Sequence, residues 1–283
     1  MKKVVLFVLF FTLLSLPNFA LADKYIRDNL TGGDCISIGT WNISSKTCTL
    51  KTDINETIQI NNDNLTLDGN GHSVMASYSV AGIYLYRRMG VTIKNLRIRN
   101  SGMGIHVRES NNNIITGNNV DSIIVYGLLL YPYSNNNTVT KNTFSYNRYG
   151  VYIIDHSNDN KIYNNNFIGN TKAQIYIAYQ STGSITYLDP PVGGNYWDNF
   201  DTPNKGCNDI NNDGFCDTSY IFNIGRDNYP FTKPDSWPEP PTPECCSNVL
   251  FLPGLEASRL YKQGMLGEDR LWEPNINSDV VDL

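Results

Sequence analysis

Gly82-Ile83-Tyr84-Leu85, Gly104-Ile105-His106-Val107, Gly127-Leu128-Leu129-Leu130 and Gly150-Val151-Tyr152-Ile153 follow one another at intervals of 22, 23 and 23 residues. A second phrase trails each of them: Val91-Thr92-Ile93-Lys94-Asn95, Ile114-Ile115-Thr116-Gly117-Asn118, Thr138-Val139-Thr140-Lys141-Asn142 and Lys161-Ile162-Tyr163-Asn164-Asn165. Matched on their closing Asn, these recur at 23, 24 and 23. Each phrase alternates apolar and polar side chains over four or five positions, which is strand periodicity and too short for a helix. A unit of this size cannot bury a core alone. Successive units must therefore stack, each adding a strand to a parallel sheet at about 4.8 Å spacing. The expected fold is all-β, a right-handed parallel β-helix of about five or six coils. An Asn returning at the same corner tolerates left-handed backbone angles and hydrogen-bonds its equivalents above and below. The runs Asn111-Asn112-Asn113 and Asn135-Asn136-Asn137 are then turns rather than polar linker, and Leu67-Asp68-Gly69-Asn70-Gly71-His72 opens the helix.

Outside the repeats, Lys2 and Lys3 precede an apolar run from Val4 to Leu16, and Ala20-Leu21-Ala22 closes the segment. This is the pattern of a signal peptide, residues 1–22, cleaved after Ala22 and too short for a membrane span. The protein is expected to be secreted or periplasmic, with no membrane span after cleavage. Charged residues are 17% and aromatic residues 12% of the 283, which excludes a disordered chain. The net charge of -5 falls to about -7 without Lys2 and Lys3, and no basic stripe remains, so nucleic acid is not an expected partner. A monomer is expected.

Six cysteines suit an oxidising compartment. Cys35 with Cys48, and Cys207 with Cys216, each bracket a short polar loop and are paired locally; Cys245 and Cys246 have no evident partner. Between the second pair, Asp209-Ile210-Asn211-Asn212-Asp213-Gly214-Phe215-Cys216-Asp217 spells D-x-N-x-D-G-x-x-D. Side-chain oxygens of Asp209, Asn211, Asp213 and Asp217, the Phe215 carbonyl and a Gly for the sharp turn are what calcium favours. Tyr220 stands where the usual closing Glu would be. A structural calcium that ties down the last coil is expected. The chain thus divides into an N-terminal cap (23–54), the β-helix (55–192), a C-terminal cap with the calcium-type loop (193–232), a Pro-rich linker (233–246) and residues 247–283.

The coil phrases, the Leu67–His72 opening and the segment from Gly194-Asn195-Tyr196-Trp197 to Asp227-Asn228-Tyr229-Pro230 together resemble the NosD-like family of pectin-lyase-type β-helix proteins. That resemblance implies a periplasmic copper-binding or carbohydrate-binding protein. Val249-Leu250-Phe251-Leu252-Pro253-Gly254-Leu255, leading to Leu271-Trp272-Glu273-Pro274, resembles the start of an α/β-hydrolase similar to lecithin:cholesterol acyltransferase-like lipases. No Gly-x-Ser-x-Gly elbow occurs, and His72, His106 and His156 all lie in the β-helix, so no hydrolase triad can be assembled. Residues 247–283 are expected to be the incomplete start of a hydrolase whose remainder is missing.

The expected function is a secreted β-helix that binds polysaccharide or a surface glycan. Its candidate ring platform comprises Tyr84, Tyr126, Tyr131, Tyr149, Tyr152 and Tyr176, which stack on sugars if they face outward and fill the coils if they face inward. One alternative is the N-terminal part of a secreted lipase or acyltransferase. Another is a polysaccharide lyase or epimerase acting on the β-helix face. For the latter, Asp155 and His156, with Arg148 and Tyr149 one strand earlier, resemble the Asp-Pro-His-Asp of mannuronan epimerases without its Pro. The three spaced Asp residues of polygalacturonase-like hydrolases are missing, and no activity is expected of the chain as given. Copper needs soft ligands gathered at one place, whereas Met75, Met89 and Met103 are 14 apart, out of phase with the coil, so copper is not expected.

Overall fold

The computed structural model describes residues 23–77, 80–238, 260–264 and 267–272. The segment read as a signal peptide (1–22), Cys245, Cys246 and residues 249–252 lie outside the described residues. Three parallel sheets wind around one core. Sheet A carries seven strands, Lys24–Ile26, Ile58–Ile60, Ala81–Tyr86, Met103–Arg108, Tyr126–Leu130, Tyr149–Ile153 and Ala173–Ile177, in that spatial order. Sheet B contains Thr66–Asp68, Thr92–Lys94, Ile114–Thr116, Thr138–Thr140 and Lys161–Tyr163; sheet C contains Arg97–Arg99, Asn119–Asp121, Thr143–Ser145 and Asn166–Ile168. Helix is confined, among the described residues, to Cys35–Ile38 and the 3-10 turn Pro203–Lys205. The parallel β-helix read from the repeats is the fold.

Parallel pairing begins before residue 55: Lys24–Ile26 pairs with Ile58–Ile60, and Thr47–Leu50 pairs with Thr66–Asp68. The segment read as a cap therefore supplies strands to two sheets. Gly39–Asn42 then closes sheet B antiparallel, and Cys35 bonds to Cys48.

Inside, each coil presents the same positions to its neighbours. Ile83, Ile105, Leu128, Val151 and Ile175 form one buried row; Ile98, Val120, Phe144, Phe167 and Trp197 form another. The rings in the second row stack, Phe144 on Phe167 at 5.5 Å and Phe167 on Trp197 at 4.6 Å. The repeated glycine has a specific cause. A Cβ on Gly104 would lie 2.4 Å from the Gly127 carbonyl oxygen, and one on Gly127 would lie 2.6 Å from that of Gly150. In the last coil the equivalent position is Gln174, which has no further coil to meet and spends its side chain on Asp198.

The corners correct the alignment of the second phrase. Strand pairing sets Thr92 opposite Ile114, so Asn95 corresponds to Gly117, Lys141 and Asn164, not to Asn118. These four share a left-handed φ of 57°, 65°, 57° and 56°. The ladder lies one residue later. Asn118 Nδ2 donates to Asn142 Oδ1 at 2.9 Å, Asn142 to Asn165 at 3.0 Å, and Asn165 to Asn195 at 3.0 Å, all buried. Turning and laddering, assigned above to one Asn, are thus divided between adjacent positions, because the turn residue takes the left-handed φ while the side chain of the next one enters the core. A parallel ladder runs through Asn113, Asn137 and Asn160, and a serine ladder through Ser110, Ser134, Ser157 and Ser181.

At the C-terminal end, Tyr220 stacks on Trp197 at 4.3 Å, and the Asp227 carboxylate accepts N–H groups of Asn195 (2.7 Å), Trp197 Nε1 (2.9 Å) and Tyr229 (3.0 Å). Burial pushes that carboxyl up to about 7 against these donors. Cys207 bonds to Cys216. Asn223 caps the last residue of sheet A's edge strand: its Oδ1 accepts the Ile177 N–H at 3.2 Å, and its Nδ2 donates to the Ile177 carbonyl at 2.5 Å. Residues 239–283 form a separate unit, in which Leu260–Gly264 pairs antiparallel with Gly267–Trp272.

Asn142→Ala should lower unfolding stability by about 2–4 kcal/mol, since it strands buried partners on two coils. Gly127→Ala should cost about 1–3 kcal/mol by pressing a methyl on the next coil. Urea denaturation followed by circular dichroism measures both.

Candidate functional site

In a strand, side chains alternate between faces, so the residues between the core rows of sheet A must point outward. They form one column across paired strands: Tyr25, Gln59, Tyr84, His106, Leu129, Tyr152 and Tyr176. Tyr126 and Tyr149 flank it on the paired first residues of their strands. Tyr152 lies 4.7 Å from Tyr126, 4.9 Å from Tyr149 and 4.9 Å from Tyr176, the last ring stacked nearly parallel to it at 12°. These four are half-buried and form a continuous tyrosine patch, and burial followed by its neighbours' charges pushes the Tyr152 hydroxyl up. Tyr84 lies further along the column, and Tyr131 is exposed just past the strand Tyr126–Leu130. None of the six tyrosines singled out from the sequence belongs to the core.

The patch runs into a cavity of about 710 Å³ lined by Tyr149, Asn170, Lys172, Gln174, Tyr176, Asp198, Asn199, Tyr220, Phe222 and Asn223, among others. Its back wall is braced. Asp198 accepts the Gln174 side-chain amide at 2.5 Å and the Gly169 N–H at 2.7 Å, while Gln174 accepts from Asn170 at 2.6 Å. Sequence reading did not find Lys172, Gln174 or the cap residues Tyr220 and Asn223. Their approach depends on how the cap folds back, and no periodicity reports that.

At the other end of the column, a smaller cavity of about 220 Å³ is lined by Gln59, Tyr84, Met103 and His106, among others. Burial pulls His106 down to about 4, against a hydrogen bond to the Tyr131 backbone, and its Nε2 has no partner. Arg108 hydrogen-bonds the Tyr84 side chain and sits 5.2 Å from the Tyr86 ring centroid.

The catalytic candidates are not brought together. Arg148 precedes the strand Tyr149–Ile153 and Tyr149 begins it, whereas Asp155 and His156 lie in the turn beyond its end. Extended chain of roughly 20 Å separates Arg148 from Asp155. Asp155 and His156 both have left-handed φ, 56° and 58°, at an exposed turn, where they pair at 3.0 Å and the imidazole stacks on Tyr133. They shape a corner of the coil.

Asp209, Asn211, Asp213, Phe215 and Asp217 share one loop. Gly214 makes its sharp turn with φ 90° and open space around it. Asp209 accepts the N–H groups of Asp213 and Gly214, each at 3.1 Å; Asp213 accepts that of Phe215 at 2.9 Å, and Asp217 that of Ile210 at 2.8 Å. The carboxylates thus fold onto the loop's own amides. Among the described residues, no group of three or more His, Cys, Asp or Glu gathers to hold a metal.

The model of the family described as "Periplasmic copper-binding protein (NosD)" matches residues 17–202. No curated protein matches the chain. Among solved structures, an alginate lyase from Paenibacillus sp. str. FPU-7 is similar, with TM-score 0.41 and 14% identity, over 49% of this chain and 63% of the lyase chain. Cys35, Cys48, Cys207 and Cys216 are oxidised, and His72, His106 and His156 sit at three separate places, His72 beside Asp53 at 3.4 Å. No helix among the described residues is long and apolar enough to cross a membrane.

His106 should stay neutral down to about pH 5 and titrate with a midpoint about 4, read from its imidazole NMR shifts. Because its folded pKa lies below the unfolded value, its contribution to stability is present above about pH 6.5 and is lost as pH falls towards 4. A midpoint near 6.5 would mean a solvated ring. The family model spans residues 17–202 and with them every coil strand from Lys24 to Trp197, so the chain belongs to the NosD family.

Proposed function

We propose that the protein is an extracytoplasmic glycan-binding module whose ligand lies on the outer face of sheet A. The observation that carries this reading is the patch of Tyr126, Tyr149, Tyr152 and Tyr176, continuous with the cavity beside it. Aromatic faces left half-exposed in a row bury sugar rings, and the amides and hydroxyls around them pair with sugar hydroxyls. Coils repeat at about 4.8 Å, so a polymer running along the helix axis meets a similar surface at each step. The two disulfides suit an oxidising compartment, and secretion through the leader at residues 1–22 belongs to the same proposal. A lyase or epimerase reading has less support, since no acid, base and cation converge around Asp155 and His156. A lipase or acyltransferase reading depends on residues 247–259, outside those described. Tyr152→Ala combined with Tyr176→Ala should weaken retention in polysaccharide-loaded native gels by at least about tenfold. Unchanged retention, with the fold intact by circular dichroism, would remove this face as the binding site.

A structural calcium in the loop of Asp209, Asn211, Asp213, Phe215 and Asp217 is a second proposal, supported by ligand spacing and by the sharp turn at Gly214. The ion would take the carboxylate oxygens from the loop N–H groups and lock the C-terminal cap. Calcium should then raise the melting temperature, a chelator should reverse the rise, and Asp213→Ala should abolish it. Identical melting under all three conditions would leave a disulfide-closed turn.

A further inference from the structure

We propose that Asn29 and Asn42 are acceptor sites for N-linked oligosaccharide, so that the N-terminal end of the solenoid carries sugar covalently. This rests on the extracytoplasmic reading above and concerns a surface other than the outer face of sheet A.

Asn-x-Ser/Thr, with x other than Pro, is the tripeptide that oligosaccharide transfer recognises, and it must lie on the surface to be reached. Five occur in the chain, at Asn29, Asn42, Asn55, Asn64 and Asn136. All five Asn are exposed, yet the tripeptides differ. Thr57 is buried with its hydroxyl spent on the Ala81 carbonyl at 2.8 Å, and Leu65 and Asn137 are buried within their coils. Only Asn29-Leu30-Thr31 and Asn42-Ile43-Ser44 are exposed throughout.

Both acceptor side chains are held through oxygen. Asn29 Oδ1 accepts the Thr31 N–H and hydroxyl, each at 3.1 Å, and the Gly33 N–H at 2.8 Å; Asn42 Oδ1 accepts the Ser45 N–H at 3.0 Å. Among the described residues neither Nδ2 has a partner, so the atom that reacts is the one left open. Transfer forms a bond from Nδ2 to the anomeric carbon of a lipid-phosphate-linked oligosaccharide and breaks that carbon's bond to the phosphate oxygen. The lipid phosphate leaves with the electron pair, and one Nδ2 proton passes to a base of the transferase.

The surface around the two loops is an independent observation. Leu30, Ile36 and Ile43 are 87%, 61% and 53% exposed, and Leu30 and Ile43 are the middle residues of the two tripeptides. The loops touch: Lys46 Nζ pairs with Asp28 at 2.5 Å, and Trp41 packs so closely on Gly32 that a Cβ there would lie 2.5 Å from its ring. A bare apolar face invites association. Sugar on Asn29 and Asn42 stands beside Leu30 and Ile43 and keeps that face in water.

The test is mass spectrometry of the full chain recovered from its native host, on the intact protein and on the peptides that contain each Asn. Whole sugar residues should be found on Asn29 and Asn42, with Asn55, Asn64 and Asn136 bare. Thr31→Ala and Ser44→Ala should each remove the sugar of its own site, whereas Thr31→Ser should keep it and Asn136→Gln should leave the mass excess unchanged. The double variant without either sugar should scatter more light at equal concentration, through association at the apolar end face. Exported protein with Asn29 and Asn42 both bare would overturn the proposal and leave the extracytoplasmic reading standing; protein found bare inside the cytoplasm would overturn both. Sugar on Asn64 or Asn136 would overturn the selection of sites by exposure of the whole tripeptide.

Discussion

The spacing of hydrogen-bonded parallel strands governs this molecule. Once coil is held to coil at about 4.8 Å, each side chain has as its nearest neighbour the residue at the same position one coil away. Every position must then tolerate its own likeness. Aliphatic side chains do so by nesting, Phe144, Phe167 and Trp197 by stacking, and Asn by donating from one amide to the next carbonyl oxygen. Glycine meets the same demand where Gly104 and Gly127 leave no room for a Cβ. Exposed ring pairs such as Tyr152 and Tyr176 arise from the same rule on the outer face.

Function follows from where that rule is relaxed. In the core, likeness is enforced by burial, and substitutions are confined to closely related shapes. On the outer face of sheet A, water is an acceptable neighbour, so Gln59, Tyr84, His106, Leu129, Tyr152 and Tyr176 can differ while their backbones stay in register. The scaffold thus offers a straight row of independently variable groups, and the cap closes one end of it with Tyr220, Phe222 and Asn223.

Much of the fold was legible in the sequence, because the stacking constraint writes itself as a period. The intervals between Gly82, Gly104, Gly127 and Gly150 located the coils, and the local cysteine pairs were the bonded ones. The one-residue slip at Asn95 shows the limit. Asn suits both a left-handed turn and a buried ladder, so identity alone did not separate Asn95, which turns, from Asn118, which ladders. The candidate site was half legible. Alternation named the tyrosines but not their direction, since a ring fits either face of a strand. Lys172 gave no signal, because an exposed cation is ordinary until a cavity forms beside it.

Asn223 has a consequence beyond holding the cap. A stack of identical rungs has no internal reason to stop, and its last rung is a template for the next. By occupying both peptide groups of Ile177 with one side-chain amide, Asn223 acts as a chain terminator, an imitation of one further residue that offers nothing to copy. The last rung of sheet A is therefore stopped at Ile177 by a side chain that comes from outside the repeats.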